Sequence, residues 1–246
     1  IGLGIPAEPL FRSSINGERY IRQQIMSILP QLSGDDEIVV SDDHSKDRTN
    51  EVILSVNDPR IRLFTHDATI DAIFTIDRST YNFANALSHA KGDIIFLCDQ
   101  DDYWLPEKVQ TMVSLLASSD LVMSDCLIGD ETLNTTGQVY SDIRPFRTGT
   151  LTNFLKSHYL GCCMAFKREV YQKALPFPKH GVAHDLWIGL TAERYFKIKY
   201  TKQPLMIYRR HSNTVTASGK TNQTSTLFKL SYRFYIAKAL LSRNIF

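Results

Sequence analysis

Six carboxylates fall in two short clusters, and each cluster directly follows an apolar run. Asp42, Asp43 and Asp47 come after Ile38-Val39-Val40, in EIVVSDDHSKD, and Asp99, Asp101 and Asp102 after Ile94-Ile95-Phe96-Leu97, in DIIFLCDQDDYW. Carboxylates this close repel one another unless a cation or hydrogen-bond donors compensate. A divalent metal together with a phosphate-bearing ligand would do so. Two further groups carry chemistry. In HDLW, Asp185 suits either a helix N-cap or a general base. In YRRH, an Arg can fork onto phosphate and His211 can bind metal or phosphate. The competing structural readings are an Asx turn for Asp42 and Asp43 and a basic surface turn for YRRH.

Elements must bring these groups together. Short apolar runs bounded by polar residues predict buried strands at 37–40, 61–64, 93–97 and 120–124. Helical spacing predicts helices at 17–29, 47–56, 81–89 and 105–116, the first ended by Pro30. This alternation predicts a doubly wound, mostly parallel α/β sheet, whose ligands bind at the C-terminal ends of the strands. Both acidic clusters sit at such ends. Beyond residue 128 the pattern loosens. Residues 129–145 read as loop, 150–156 and 185–195 as helices, and 161–166, 198–200 and 205–208 as strands. Residues 212–225 read as a polar linker and 226–246 as a last helix. At the N-terminus, Pro9 and the charges around it make 8–12 a poor central strand, so Ile1–Ile5 is the alternative.

Five segments in order, VVSDDHSKDRT, FLCDQDDYWLPEK, GCCMAFKREV, HDLWIGL and YRRHSNTVT, resemble inverting glycosyltransferases of family 2, and among them the bacterial rhamnosyltransferase-type subgroup. The resemblance spans roughly residues 13–215. It implies a GT-A fold, with a Rossmann-like nucleotide-binding half over about 1–125, an acceptor half over 126–215, and a basic linker and helix over 216–246. It implies donor contacts from Asp42, Asp43, Asp99, Arg209 and Arg210. Mn²⁺ or Mg²⁺ would be held by Asp101, His211 and Asp102, the acceptor side lined by Gly161, His184 and Trp187, and Asp185 would be the catalytic base. The donor would be a nucleotide-diphosphate sugar, dTDP-rhamnose or a UDP-sugar. The acceptor would be a lipid-linked saccharide of capsule or O-antigen synthesis, handled in the cytoplasm at the inner membrane face.

The 246 residues are 43% hydrophobic and 22% charged, an ordinary globular composition. Cys98, Cys126, Cys162 and Cys163 form no C-x-x-C pair, so neither a zinc site nor a disulfide framework is expected, and Cys162 and Cys163 read as small buried residues. No signal peptide or membrane-spanning run is apparent. Charge is segregated: residues 194–246 hold 11 Lys/Arg and no acid, whereas residues 1–193 hold 17 Lys/Arg and 26 acids. In the tail, Leu227, Leu230, Phe234, Ala237, Leu241 and Ile245 form one stripe, interrupted on the basic side by Ile236 and Leu240. Such a helix suits an anionic membrane or, equally, packing on the domain or at a homodimer interface. A nucleotidyltransferase would want a Gly-rich loop with Arg and Lys, which GIPAEPLFRSS lacks. A receiver domain would leave HDLW and YRRH unused. A non-catalytic sugar- or nucleotide-binding module with a membrane-associating tail is the main alternative. Nucleic acid is not expected as a partner, because the acidic front would repel phosphates.

Overall fold

The structure, a computed structural model, describes residues 9–14, 16–66, 71–211, 226–243 and 245, with 9–14 and 226–229 described through their backbone. In chain order the elements are β1 (Pro9–Ser14), α1 (Ile21–Ile28), β2 (Glu37–Asp42), α2 (Thr49–Leu54), β3 (Ile61–Thr65), α3 (Thr75–Ser88) and β4 (Ile94–Asp99). Then come β5 (Tyr103–Trp104), α4 (Lys108–Leu116), β6 (Leu121–Gly129), β7 (Thr135–Val139), α5 (Tyr140–Ile143) and α6 (Thr150–Leu155). The chain continues through β8 (Met164–Lys167), α7 (Arg168–Ala174), α8 (His184–Tyr195), β9 (Ile198–Arg209) and α9 (Thr226–Ser242).

One sheet runs in the order β3-β2-β1-β4-β8-β6-β9-β5, with β7 beside β6. The first four strands are parallel, as expected. The remainder is mixed: β8 runs antiparallel to both β4 and β6, and β9 parallel to β6. The boundary near residue 125 falls inside β6, so the two halves share this sheet. β2 is buried along its whole length, which explains its unbroken apolar run between two layers of helices. Ile21, Ile25 and Ile28 recur at helical spacing and are wholly buried, seating α1 on the sheet.

Four expectations need correction. The central strand β1 is Pro9–Ser14 itself, paired with β2 and β4. Pro9 opens the strand, a position that tolerates its missing N–H; Ile1–Ile5 lies outside the described residues. α3 starts at Thr75, six residues before the predicted Tyr81. Asp77 makes this possible, because its Oδ2 accepts the N–H groups of Ile73 and Phe74 at 3.0 Å each. The two strands expected over 198–208 are one, β9, whose polar middle (Lys202, Gln203) is exposed on a stretch that pairs only with β6. Within 129–145, read as loop, lie β7 and α5, and the short elements β5 and α7 were not predicted.

The core joins both halves and includes Trp104 and Trp187. α8 packs flush on the Tyr159 ring at Gly189, where an added Cβ would come within 2.5 Å of the ring. An exposed helix interior gains about 1 kcal/mol from Gly→Ala. Here Gly189→Ala is expected to lose about 1–3 kcal/mol through overpacking, seen as a lower denaturant midpoint. A gain in midpoint would show that Tyr159 yields freely.

Candidate functional site

The C-terminal ends of β1, β2 and β4 open on one edge of the sheet, and the loops there are tied to one another. Asn16, in the left-handed region at φ 48°, donates its N–H to Ser45 Oγ (2.9 Å) and accepts from Lys46 N–H (2.8 Å) through Oδ1. Gly17 N–H donates to Thr49 Oγ1 (2.7 Å) and Glu18 N–H to Asp47 Oδ2 (3.1 Å). The β1–α1 and β2–α2 loops are thereby held as one wall.

Within this wall the two neighbouring aspartates differ. Asp42 is buried and its carboxylate is occupied: it accepts from the Ser45 hydroxyl, from Ser45 N–H (3.0 Å) and from Asn50 Nδ2 (3.2 Å). Its expected donor contact gives way to an Asx-type anchor of the loop. Asp43 stays at the site edge, with Oδ1 2.9 Å from His66 Nε2; His44 in turn reaches the His66 carbonyl (2.8 Å).

The second cluster is built around Arg209, which lies at the end of β9. Asp101 Oδ2 and His211 Nε2 are 2.8 Å apart, and the Tyr20 ring packs on His211 at 4.9 Å. The structure thus brings together two of the three predicted metal ligands. The third, Asp102, is fully buried and its Oδ2 finds no hydrogen-bond partner among the described residues. Burial, and then the charges of Asp101 and Asp99, push its carboxyl well above the usual carboxylate range. Asp99, Asp102 and Cys162 each place one ligand atom within 4.8 Å of the others. An orphaned buried carboxyl oxygen amid further carboxylates fits a hard divalent cation.

Arg209 was expected to grip the donor, and the structure corrects this. It is 3% exposed, and its guanidinium donates to the Asp101 carbonyl (2.7 Å), the Glu131 carbonyl (2.6 Å) and Gln23 Oε1 (2.7 Å), lying 4.5 Å from the Tyr20 ring. Those contacts clamp the DQDD loop rather than present a fork to phosphate. Arg210 is the reverse case, since its buried Nε and Nη2 find no partner among the described residues.

On the acceptor side, Gly161 lies against HDLW. A Cβ there would meet His184 Nε2 at 3.2 Å and Asp185 Cβ at 3.3 Å. His184 stacks on Phe83 at 3.8 Å, and burial holds its imidazole below the usual pKa, favouring the neutral ring. Asp185 stands in the first turn of α8, where the helix dipole favours a carboxylate, and its Oδ1 accepts the Leu186 N–H at 2.7 Å. Asp185 is therefore not the N-cap read from the sequence: that position is Ala183, without a side-chain cap, and Asp185 lies one residue inside the helix. Trp187, expected on the acceptor wall, is a core residue instead: it is 1% exposed and its indole N–H donates to the Ala174 carbonyl at 2.7 Å. Three supporting residues escaped sequence reading, namely Tyr20, Glu131 and His66. Tyr20 donates its hydroxyl to Glu131 (2.6 Å), which also pairs with Arg19 and is held below the usual carboxylate range chiefly by that hydroxyl. These contacts cross large sequence separations, 111 residues for Tyr20–Glu131 and 23 for His66–Asp43, and no local pattern signals them.

The sheet carries two acidic strand ends, two arginines at the end of β9 and a carboxylate in the first turn of α8, and its class, by likeness to solved structures, is the GT-A fold. Residues 13–175 match Glycosyl transferase family 2, and the chain belongs to that family. It is 28% identical over 179 residues to the Escherichia coli UDP-Glc:alpha-D-GlcNAc-diphosphoundecaprenol beta-1,3-glucosyltransferase WfgD, covering 72% of this chain and 66% of that protein. It is 21% identical over 218 residues to the Shigella flexneri dTDP-rhamnosyl transferase RfbG, covering 82% and 72%. The fold is similar to S. aureus TarS 1-349 in complex with UDP-GlcNAc, with a TM-score of 0.70 at 15% identity over 95% of this chain and 66% of that one.

The clamp makes a prediction that separates the two arginines. Arg209→Lys keeps the charge but loses the fork, and should lower stability by about 1–3 kcal/mol in thermal melts. Arg210→Ala should melt like the parent and bind nucleoside diphosphate roughly tenfold more weakly by titration calorimetry. A stable Arg209→Lys protein with weakened nucleotide binding would reverse the two assignments.

Proposed function

We propose that this chain is an inverting, metal-dependent glycosyltransferase that moves a sugar from a nucleoside diphosphate to a lipid-linked glycan. The observation that carries the reading is the dipeptide Gly161-Cys162. Gly161 lies against Asp185, while Cys162 approaches Asp99 and Asp102. A donor held at the second acidic cluster is therefore next to a carboxylate at the start of α8.

In this reading Asp43 accepts from the N–H of a pyrimidine base, oriented by His66. Asp99 faces the ribose or sugar. Asp101 and His211 hold Mn²⁺ or Mg²⁺, with Asp102 behind them, and Arg210 faces the diphosphate. The bound cation would offset the charge that develops on the departing nucleoside diphosphate. Asp185 takes the proton from the acceptor hydroxyl as its oxygen attacks the anomeric carbon from the side opposite the leaving diphosphate. The bond from that carbon to the diphosphate oxygen breaks, and the configuration inverts. Neutral His184, fixed on Phe83 and against Gly161, orients the acceptor without competing for that proton.

The donor is a UDP-sugar or dTDP-rhamnose; WfgD uses UDP-Glc and RfbG is a dTDP-rhamnosyl transferase by name. By analogy with WfgD the acceptor is a diphosphoundecaprenol-linked glycan, in capsule or O-antigen assembly at the inner membrane face. Asp185→Asn should bind donor as the parent does and lose transfer by about 10²–10⁴-fold in a single-turnover assay. Parental turnover in that variant would remove Asp185 from the chemistry. Asp101→Ala should abolish the metal-dependent part of nucleotide binding, and an unchanged affinity with Mn²⁺ would rule out its ligand role.

A further inference from the structure

The tail helix packs on the domain mainly through residues that interrupt its hydrophobic stripe. Ile236 and Leu240 are buried, Ile245 just beyond them is too, and Tyr232 packs inward against Phe74 at 6.3 Å. Arg233 Nη2 donates to the Leu155 carbonyl (3.0 Å) at the end of α6, and Arg243 Nη2 to the Pro176 carbonyl (3.0 Å). Docking therefore turns Leu230, Phe234 and Leu241 outward, where they are 60%, 65% and 66% exposed. They lie four and seven residues apart, on one side of α9. The adjoining α6 adds Leu151 and Leu155, one turn apart and likewise exposed. These five account for nearly half of the eleven large hydrophobic side chains exposed among the described residues. Scattered singly such residues mean little; gathered on two touching helices they mark an interaction surface.

We propose that α6 and α9 form a platform that seats the protein on an anionic lipid bilayer surface. The proposal rests on the lipid-linked acceptor of the preceding reading. Charge selects the occupant. Neither α6 nor α9 contains an acidic residue, and residues 194–246 contain none. Lys156 follows α6, exposed Lys238 borders the α9 stripe, and Arg194 and Lys173 stack on the Tyr195 ring, whose hydroxyl reaches the Arg243 carbonyl. An apolar stripe rimmed by cations matches a headgroup layer carrying negative charge. A two-fold interface between copies would set this cationic rim against itself, which disfavours a second copy as the occupant. Position agrees with the acceptor's chemistry. On the inner face of the same helix Tyr232 lies close enough to Asp185 that burial, followed by the Asp185 charge, pushes its phenol up to about 12. A lipid-anchored acceptor rising from the bilayer would thus reach the proposed base beside the platform.

The test is co-sedimentation of the full chain with phosphatidylcholine vesicles, with and without phosphatidylglycerol, in the absence of donor and acceptor. The parent should bind the anionic vesicles, weaken with salt, and bind pure phosphatidylcholine far less. Leu155→Glu/Phe234→Glu should lower anionic binding on the order of 100-fold while melting like the parent, because both side chains are exposed. Lys238→Glu should lower it by roughly fivefold. No parental binding, or parental binding in the double variant, would overturn the proposal. So would a parental dimer in light scattering that the double variant converts to monomer. Transfer to a water-soluble acceptor should persist in the double variant, so failure of the platform and failure of the glycosyl-transfer reading remain distinct.

Discussion

A single buried guanidinium holds the site together. Arg209 joins the carbonyl of Asp101 in the β4–β5 loop, the carbonyl of Glu131 in the β6–β7 loop and the side chain of Gln23 on α1, with Tyr20 stacked over it. Burying such a group is costly unless its donors are met, and here each of its three nitrogens donates to a well-placed oxygen. The geometry of Asp101, and so its 2.8 Å approach to His211 two residues beyond the clamp, follows from this arrangement. The clamp also explains why β9 must be one continuous strand. It carries Arg209 from the far side of the sheet to the edge where β4 ends.

Around that fixed point the site divides its work. The side proposed to take the nucleotide is a wall of two loops held by Asn16, Asp42 and Asp47, which leaves Asp43 at the edge with His66 behind it. The side proposed to take the acceptor is the first turn of α8, where Asp185 is partly exposed. Gly161-Cys162 lies between the two and sets their separation. A Cβ at Gly161 would lie 3.2 Å from His184 Nε2 and 3.3 Å from Asp185 Cβ, so a side chain there would have to displace them by a few tenths of an ångström.

Much of this was legible in the sequence. The strands carrying both acidic clusters were visible as unbroken apolar runs, and Gly161, His184 and Asp185 come together as their order suggested. What was hidden has physical causes. Arg209 and Arg210 look alike in sequence, and only three-dimensional packing shows that the first is saturated by carbonyls and the second is not. Asp42 and Asp43 are equally acidic, and the loop hydrogen bonds that capture Asp42 alone involve side chains three and eight residues away. Trp187 sits in a functional motif yet alternates inward on α8. β1 was misjudged because Pro9 argues against a central strand except at its first residue. The α9 stripe suits a membrane and the domain equally in sequence; in the fold Leu230, Phe234 and Leu241 of it stay exposed, while Ile236 and Leu240, which look like interruptions, and Ile245 pack on the domain.

The central claim is that one metal-dependent nucleotide site stands at the C-terminal edge of β1, β2 and β4. The most direct measurement is thermal unfolding with UDP, dTDP, GDP and ADP, each with and without Mn²⁺. A nucleotide at 100-fold its dissociation constant stabilises by about 2.7 kcal/mol, a readily visible shift. The account predicts a shift with a pyrimidine nucleoside diphosphate that requires the metal and disappears in Asp101→Ala. Equal shifts with all four nucleotides regardless of metal, or no shift with any, would contradict it.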